Sequence, residues 1–174
     1  VVDNASSDDS AQGLEGISLP LEVIENEDNV GFAAACNQGA SGSVADYLLF
    51  LNPDTRLFPS TLATVSRFME SDRSAGIGIC GVEIVDAEGR PEVSCARFPD
   101  LRVFIGRITG LNAVLPGVLP SYHLSPAELS QSRLVDQVIG AFFFVRRELF
   151  ARLGGFDPRY FMYFEEVDFA LRAR

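Results

Sequence analysis

A chain of 174 residues, 47% of them hydrophobic, has enough apolar side chain for one domain with a real core. Its net charge of -10 is the wrong sign for gripping nucleic acid by its phosphates or for a polybasic membrane patch. All 14 basic residues are arginine, which excludes a Schiff-base lysine and a Gly-Lys-Ser phosphate loop, and the single histidine, His123, leaves little for a Ser-His-Asp triad or a multi-histidine metal site.

In chain order, Val1-Val2-Asp3 reads as a short buried strand stopped by Asp3-Asn4. The polar stretch 5–16 is loop-like, with a weak helix near 10–14. Residues 21–26 alternate and predict a strand. Asn29 and Gly31 punctuate the start of an alanine-rich run, 32–40, that favours helix. Tyr47–Leu51 is a strand that ends on Asn52-Pro53-Asp54. Pro59 marks a helix start, with Leu62, Val65 and Met69 at helical spacing.

Residues 75–86 form an apolar strand with glycine breaks, and 92–98 read as a strand returning from a turn at 86–92. Residues 99–134, with four prolines, are the least regular part. Residues 137–147 form a strand running into a helix over 147–153, ended by Gly154-Gly155. An aromatic loop, 156–164, leads to a helix from Glu165 onward. Strands that are continuous apolar runs alternating with helices predict a mostly parallel sheet covered on both faces. In such sheets ligands bind beyond the C-terminal ends of the strands.

Four constellations carry candidate chemistry. Asp54, on a proline-stiffened corner at a strand end, suits a divalent cation shared with a diphosphate, although Asn-Pro-Asp is also good turn chemistry. Asp3-Asn4 offers strand-end acceptors for a base or ribose, or an Asx-turn. Gly31 at a helix start lets backbone N–H groups approach an anion. Glu165, Glu166 and Asp168 crowd a first helical turn, where acids also simply suit the helix dipole. At 100° per residue, Val167, Ala170 and Leu171 share one face, Glu165, Asp168 and Arg172 the opposite one, and Glu166 a flank. Asp168 and Arg172 are spaced for an ion pair. Cys36, Cys80 and Cys95 lack metal-ligand spacing and read as reduced thiols of a reducing compartment, two of them buried.

Taken together, "VVDNASSD", "NVGFAAACNQG", "YLLFLNPDTRL" and "VIGAFFFVRRELFARLGGFDPRYFMYFEEVDFALR" resemble, in order, the inverting glycosyltransferases of family 2, and within them a rhamnosyltransferase-like bacterial branch that builds cell-surface polysaccharide. The resemblance implies a GT-A-type, Rossmann-like α/β fold in one catalytic domain, with 87–134 as a variable, acceptor-side excursion. It implies nucleotide contacts at Asp3, Asn4, Asn29, Gly31, Asn37 and Asn52, and a Mn²⁺ or Mg²⁺ ion at Asp54. Asn52 stands where the family's Asp-X-Asp signature has its first aspartate. Gly140 and Ala141, with Asp168 and Arg172, match the donor and acceptor pocket. Glu165 and Glu166 match the family's Glu-Asp pair, whose second member is the catalytic base; Glu166 is one methylene longer than that Asp.

The implied partners are a dTDP- or UDP-linked sugar and a saccharide or lipid-linked acceptor, in the cytoplasm or at its membrane's inner face. Both ends resemble interrupted elements, so the chain is expected to be a fragment without the family's usual first strand and with an incomplete donor site. A non-catalytic nucleotide-sugar-binding fragment or degenerate relative is the alternative reading. A phospho-acceptor receiver, with Asp54 as acceptor, needs a lysine that the chain lacks.

Overall fold

The structure, a computed structural model, describes residues 1–8, 12–14 and 18–174. The expected weak helix near 10–14 lies partly outside them; Gln12–Leu14 is a 3₁₀ turn. Strand β1 (Val2–Asp3) pairs in parallel with β2 (Ile24–Glu25), which is shorter than the predicted strand. Helix α1 (Phe32–Ala40) follows as predicted. Strand β3 (Tyr47–Leu51) leads through the Asn52–Asp54 corner to α2 (Thr61–Glu70), which starts two residues after Pro59.

The central unit is a three-stranded sheet in which β9 (Phe142–Arg146) lies between β3 and β4 (Ile79–Cys80), antiparallel to both. Phe142, Phe143, Phe144 and Val145 are all buried, because this strand is covered on both faces. The strand's period of two divides them. Phe143 and Val145 join Leu48 and Phe50 of β3 in a core capped by α1, α4 (Arg147–Arg152) and α5 (Glu165–Ala173). Phe142 and Phe144 join Tyr47 and Leu49 in a second core under Val65 and Met69 of α2. Helices therefore cover both faces, as predicted.

The pairing, however, is mixed rather than mostly parallel. A continuous apolar run reports burial on two faces and is silent about strand direction. A central antiparallel strand between helix layers gives the same pattern as a parallel one.

The rest of the sheet structure is short. Strands β5 (Ile84–Val85) and β6 (Pro91–Glu92) form the predicted hairpin, its turn held by Asp86, whose carboxylate accepts from Glu88 N and Arg90 N. The return strand does not run on to 98. Instead β7 (Cys95–Ala96) pairs with β8 (Gln137–Val138), closing off the excursion between them. That excursion contains α3 (Leu101–Thr109), capped by the Asp100 carboxylate on Val103 N at 2.8 Å and ended by Gly110 at φ 71°. Of the three cysteines, all free thiols, only Cys95 is buried; Cys36 and Cys80 are half-buried. No helix among the described residues is long and apolar enough to cross a membrane.

Candidate active site

Where β1 ends, side-chain amides organise the backbone. Asn4 Oδ1 accepts from Asn26 Nδ2 at 3.1 Å and from Val30 N at 3.0 Å, while Asn4 Nδ2 donates to Asn29 Oδ1 at 2.7 Å. Asn29 Oδ1 also accepts from Gly31 N at 3.0 Å. Asn26 and Gln38 exchange two further bonds, at 2.8 and 3.1 Å. Asp3 Oδ1 accepts from Ser6 N at 3.1 Å, the turn contact foreseen as its structural role.

Gly31 sits at φ 87°, and a Cβ built there would lie 2.7 Å from the carbonyl oxygen of Phe161. Only glycine combines that backbone angle with that approach. The oxygen is in turn the acceptor for Phe32 N at 2.8 Å. The amides of residues 30 to 32 are therefore engaged within the protein, and the anion-facing arrangement expected at Gly31 is replaced by a seam. This seam joins the first helix to the aromatic loop that precedes α5.

Asn37 makes a second seam. Its Nδ2 donates to Phe156 O at 2.8 Å and its Oδ1 accepts from Phe156 N at 2.9 Å. A Cβ on Gly155, at φ 77°, would meet that Oδ1 at 2.5 Å. The structure thus places Asn37 as a strut between α1 and the turn after α4.

Antiparallel pairing of β3 with β9 sets the end of one strand beside the start of the other. Asn52 N donates to Ala141 O at 3.1 Å, so Asn52, Gly140 and Ala141 meet at one rim. The Asn52 carbonyl accepts from both the backbone and the hydroxyl of Thr55, which closes the corner. Asp54 stands exposed on it and makes no hydrogen bond or ion pair among the described residues. No group of three or more His, Cys, Asp or Glu among those residues is placed to hold a metal ion. One free carboxylate beside a side-chain amide fits a cation that draws most of its ligands from water and a diphosphate, not a cage built by protein alone.

The entry to α5 is strained. Tyr163 and Phe164 both adopt left-handed backbone angles, φ 68° and 71°, which side chains other than glycine adopt at a cost of about 1–3 kcal/mol each. The helix then opens on Glu165 and Glu166. The packing departs from the expected division of faces. Glu165 is only 5% exposed, whereas Leu171 is exposed. Phe169, wholly buried, is the anchor of this helix, and Glu165 lies four residues before it on the same face. Phe169 stacks edge-on with Phe143 and Phe156 and at a tilt with Phe150.

Glu165 Oε2 and Glu166 Oε2 are both buried and have no hydrogen-bond partner among the described residues. Burial, opposed by its own backbone N–H and reinforced by the charge of Glu166, raises the Glu165 carboxyl from 4.5 to about 7. Burial raises Glu166 as well, against hydrogen bonds that favour its ionised form. The half-buried Cys36 thiol is pushed up to about 12, by burial first and then by the charge of Glu165. Cys36 on α1 therefore lies near Glu165, a neighbour that spacing gave no reason to suspect.

Asp168 and Arg172 form the expected pair at 2.7 Å. Arg172 also donates to Leu153 O at 2.7 Å and Gly155 O at 2.9 Å, and lies over the Phe169 ring. It pins α5 to the Gly-Gly turn. Asp168 lines an open cleft of about 400 Å³ whose other walls include Phe98, Pro99, Asp100, Tyr160 and Phe164. Tyr160 and Phe164 of the aromatic loop wall the cleft on one side, and the residues that lead into α3 line it as well.

Residues 1–154 match the family model described as "Glycosyl transferase family 2". The chain belongs to glycosyl transferase family 2. Its fold is the GT-A-type α/β fold that the resemblance implied. The chain is 34% identical over 128 residues to the rhamnosyltransferase WbbL of Escherichia coli (strain K12), a match that covers 73% of this chain and 45% of WbbL. It is 29% identical to the N-acetylglucosaminyl-diphospho-decaprenol L-rhamnosyltransferase of Mycobacterium tuberculosis, over 97% of this chain and 58% of that protein. It is 28% identical to the low-salt glycan biosynthesis hexosyltransferase Agl10 of Haloferax volcanii, over 100% of this chain and 52% of Agl10. The chain thus spans about half the length of the curated relatives it matches. The family 2 match ends before α5, but the Haloferax similarity extends across it.

Proposed function

We propose that this family 2 chain transfers a hexosyl group, of the rhamnosyl type, from a dTDP- or UDP-linked sugar to a saccharide or lipid-linked acceptor, with inversion at the anomeric carbon. The observation that carries the reading is the carboxyl pair at the start of α5, with one buried oxygen of each left without a partner among the described residues. An acceptor hydroxyl supplies the missing hydrogen-bond donor. The two carboxyls titrate as a coupled pair. Burial raises both carboxyls, and we assign the base to Glu166, which matches the second member of the family's Glu-Asp pair and takes the hydroxyl proton. The acceptor oxygen then bonds to the anomeric carbon as the bond to the nucleoside diphosphate breaks on the opposite face. Both bonding electrons leave with the diphosphate.

A Mn²⁺ or Mg²⁺ ion, when bound, offsets the charge that grows on the departing diphosphate. Asp54, with Asn52 beside it, is the residue of this chain suited to holding it. Asn4 and Asn29 shape the strand end where the nucleoside would lie, and Gly140 and Ala141 would border the donor beside Asn52. Arg172 acts here as a positioning residue for α5. The relatives' names support the sugar class and the polyprenyl-linked kind of acceptor.

A second reading, binding of a nucleotide sugar without turnover, is favoured by Asn52 in place of a second carboxylate. Calorimetry with UDP and dTDP, with and without Mn²⁺, beside Asp54→Ala, tests the donor site. Metal-dependent binding that is lost in the variant is expected. Absence of binding by either nucleotide overturns it. Binding without release of nucleoside diphosphate from a nucleotide sugar in the presence of acceptor selects the second reading.

A further inference from the structure

Helix α3 is built inside out. Leu101, Phe104, Ile105 and Ile108 follow the i, i+3, i+4, i+7 spacing that ordinarily faces a core. All four are exposed, from 40% to 71%. The buried residues are Val103 and Gly106, on the opposite side of the helix. The returning chain packs on that opposite side too, since a Cβ on Gly106 would meet Asn112 and Leu119 at 3.2 Å. The apolar stripe therefore stays open although the excursion folds back against its own helix. Leu111, Val114, Leu115 and Val118 extend the exposed apolar surface beyond it.

Charge distinguishes this surface from the rest of the molecule. Residues 101–127 contain Arg102 and Arg107 and no acid, in a chain whose net charge is -10. At 100° per residue the two arginines fall on either flank of the stripe. Both are exposed, and neither forms an ion pair among the described residues. The nearest acid, Asp100, has its carboxylate committed to the helix cap. Apolar side chains along one line with guanidinium groups at its margins are the pattern of a helix lying in a lipid interface. There the stripe enters the acyl boundary and long cationic side chains reach the headgroups.

The overall acidity argues against binding by charge alone, and two arginines are no polybasic patch. They complement an anionic surface once the apolar stripe supplies the main attraction. The residues that lead into the helix, Phe98, Pro99 and Asp100, also wall the cleft beside Asp168. The stripe begins where that cleft ends.

We propose that the exposed face of α3, with the turn that follows it, is a membrane-contact surface that takes an anionic lipid leaflet. This inference does not depend on the transfer reaction, and its test needs neither donor nor acceptor. The protein is floated with phosphatidylcholine vesicles and with vesicles that also contain phosphatidylglycerol. Flotation with the anionic vesicles, weakened by salt, is expected. Phe104→Glu combined with Ile108→Glu should abolish it. Replacing both arginines by alanine should weaken it by about fivefold per arginine, about 25-fold together. Far-UV circular dichroism of each variant should match the parent, because every substituted side chain is exposed. Absence of flotation with either vesicle overturns the proposal. So does flotation that the double glutamate variant leaves intact. A dimer in sedimentation that the double glutamate variant disperses, without vesicle binding by the parent, would assign the stripe to a second copy of the chain instead.

Discussion

The two groups of candidate acids sit in opposite surroundings. At the start of α5, the helix that Phe169 anchors in an aromatic core, Glu165 and Glu166 each have one buried oxygen without a partner among the described residues. At the corner after β3, Asp54 stands in solvent with no partner among the described residues. Burial of an ionisable group makes it sensitive to what else occupies the site, because every charge there acts through a low dielectric. Exposure leaves a carboxylate free to share a hydrated cation with a ligand. The same functional group, a carboxyl, suits the two proposed tasks because the packing around it differs. The same contrast separates what each group contributes to folding, since α5 is a core element and the corner is not.

Substitutions should separate the two groups, beginning with the largest effect. Glu166→Gln keeps the volume and removes the base, so transfer should fall by about 10²–10⁴-fold while nucleotide binding persists. Next, Phe169→Ala removes a side chain that is wholly buried among Phe143, Phe150 and Phe156. A loss of about 3–5 kcal/mol in urea unfolding is expected. Asn37→Ala deletes both bonds to the Phe156 backbone and should cost about 1–3 kcal/mol in the same measurement. Asp54→Ala should change stability by less than about 0.5 kcal/mol, as an exposed site without partners does. A marked loss of stability in that variant would break the contrast between the groups.

A separate test of the buried pair is a slope with pH. The folded Glu165 carboxyl is raised from 4.5 to about 7, so between those values the folded chain holds a proton that the unfolded chain has released. Stability from this group is full below about 4.5 and is lost as pH rises through about 7. Thermal melts across that window should show the decline, and Glu165→Gln should flatten it.

The sequence made some of this legible and concealed the rest for definite reasons. Helix α1, strand β3 and the Gly154-Gly155 stop were readable from an alanine run, an apolar run and two adjacent glycines. Covering of the sheet on both faces was readable from the unbroken Phe142–Val145 run. Strand direction was not, because the same run serves either direction. The faces of α5 depart from the 100° projection because a single wholly buried phenylalanine, Phe169, outweighs Leu171, which stays exposed. Asn37 and Arg172 sat in family motifs, yet their contacts reach Phe156 and Gly155 across the fold, a relation that spacing does not encode. Cys36 was recognisable only as a thiol; its nearness to Glu165 is a product of packing.

The most direct measurement of the central claim pairs nucleotide binding with sugar transfer in Glu166→Gln and Asp54→Ala. The account predicts that Glu166→Gln binds the nucleotide and metal as the parent does but fails to transfer, and that Asp54→Ala loses metal-dependent binding and transfer together. Transfer at the parent rate by Glu166→Gln, or undiminished metal-dependent binding by Asp54→Ala, would contradict it.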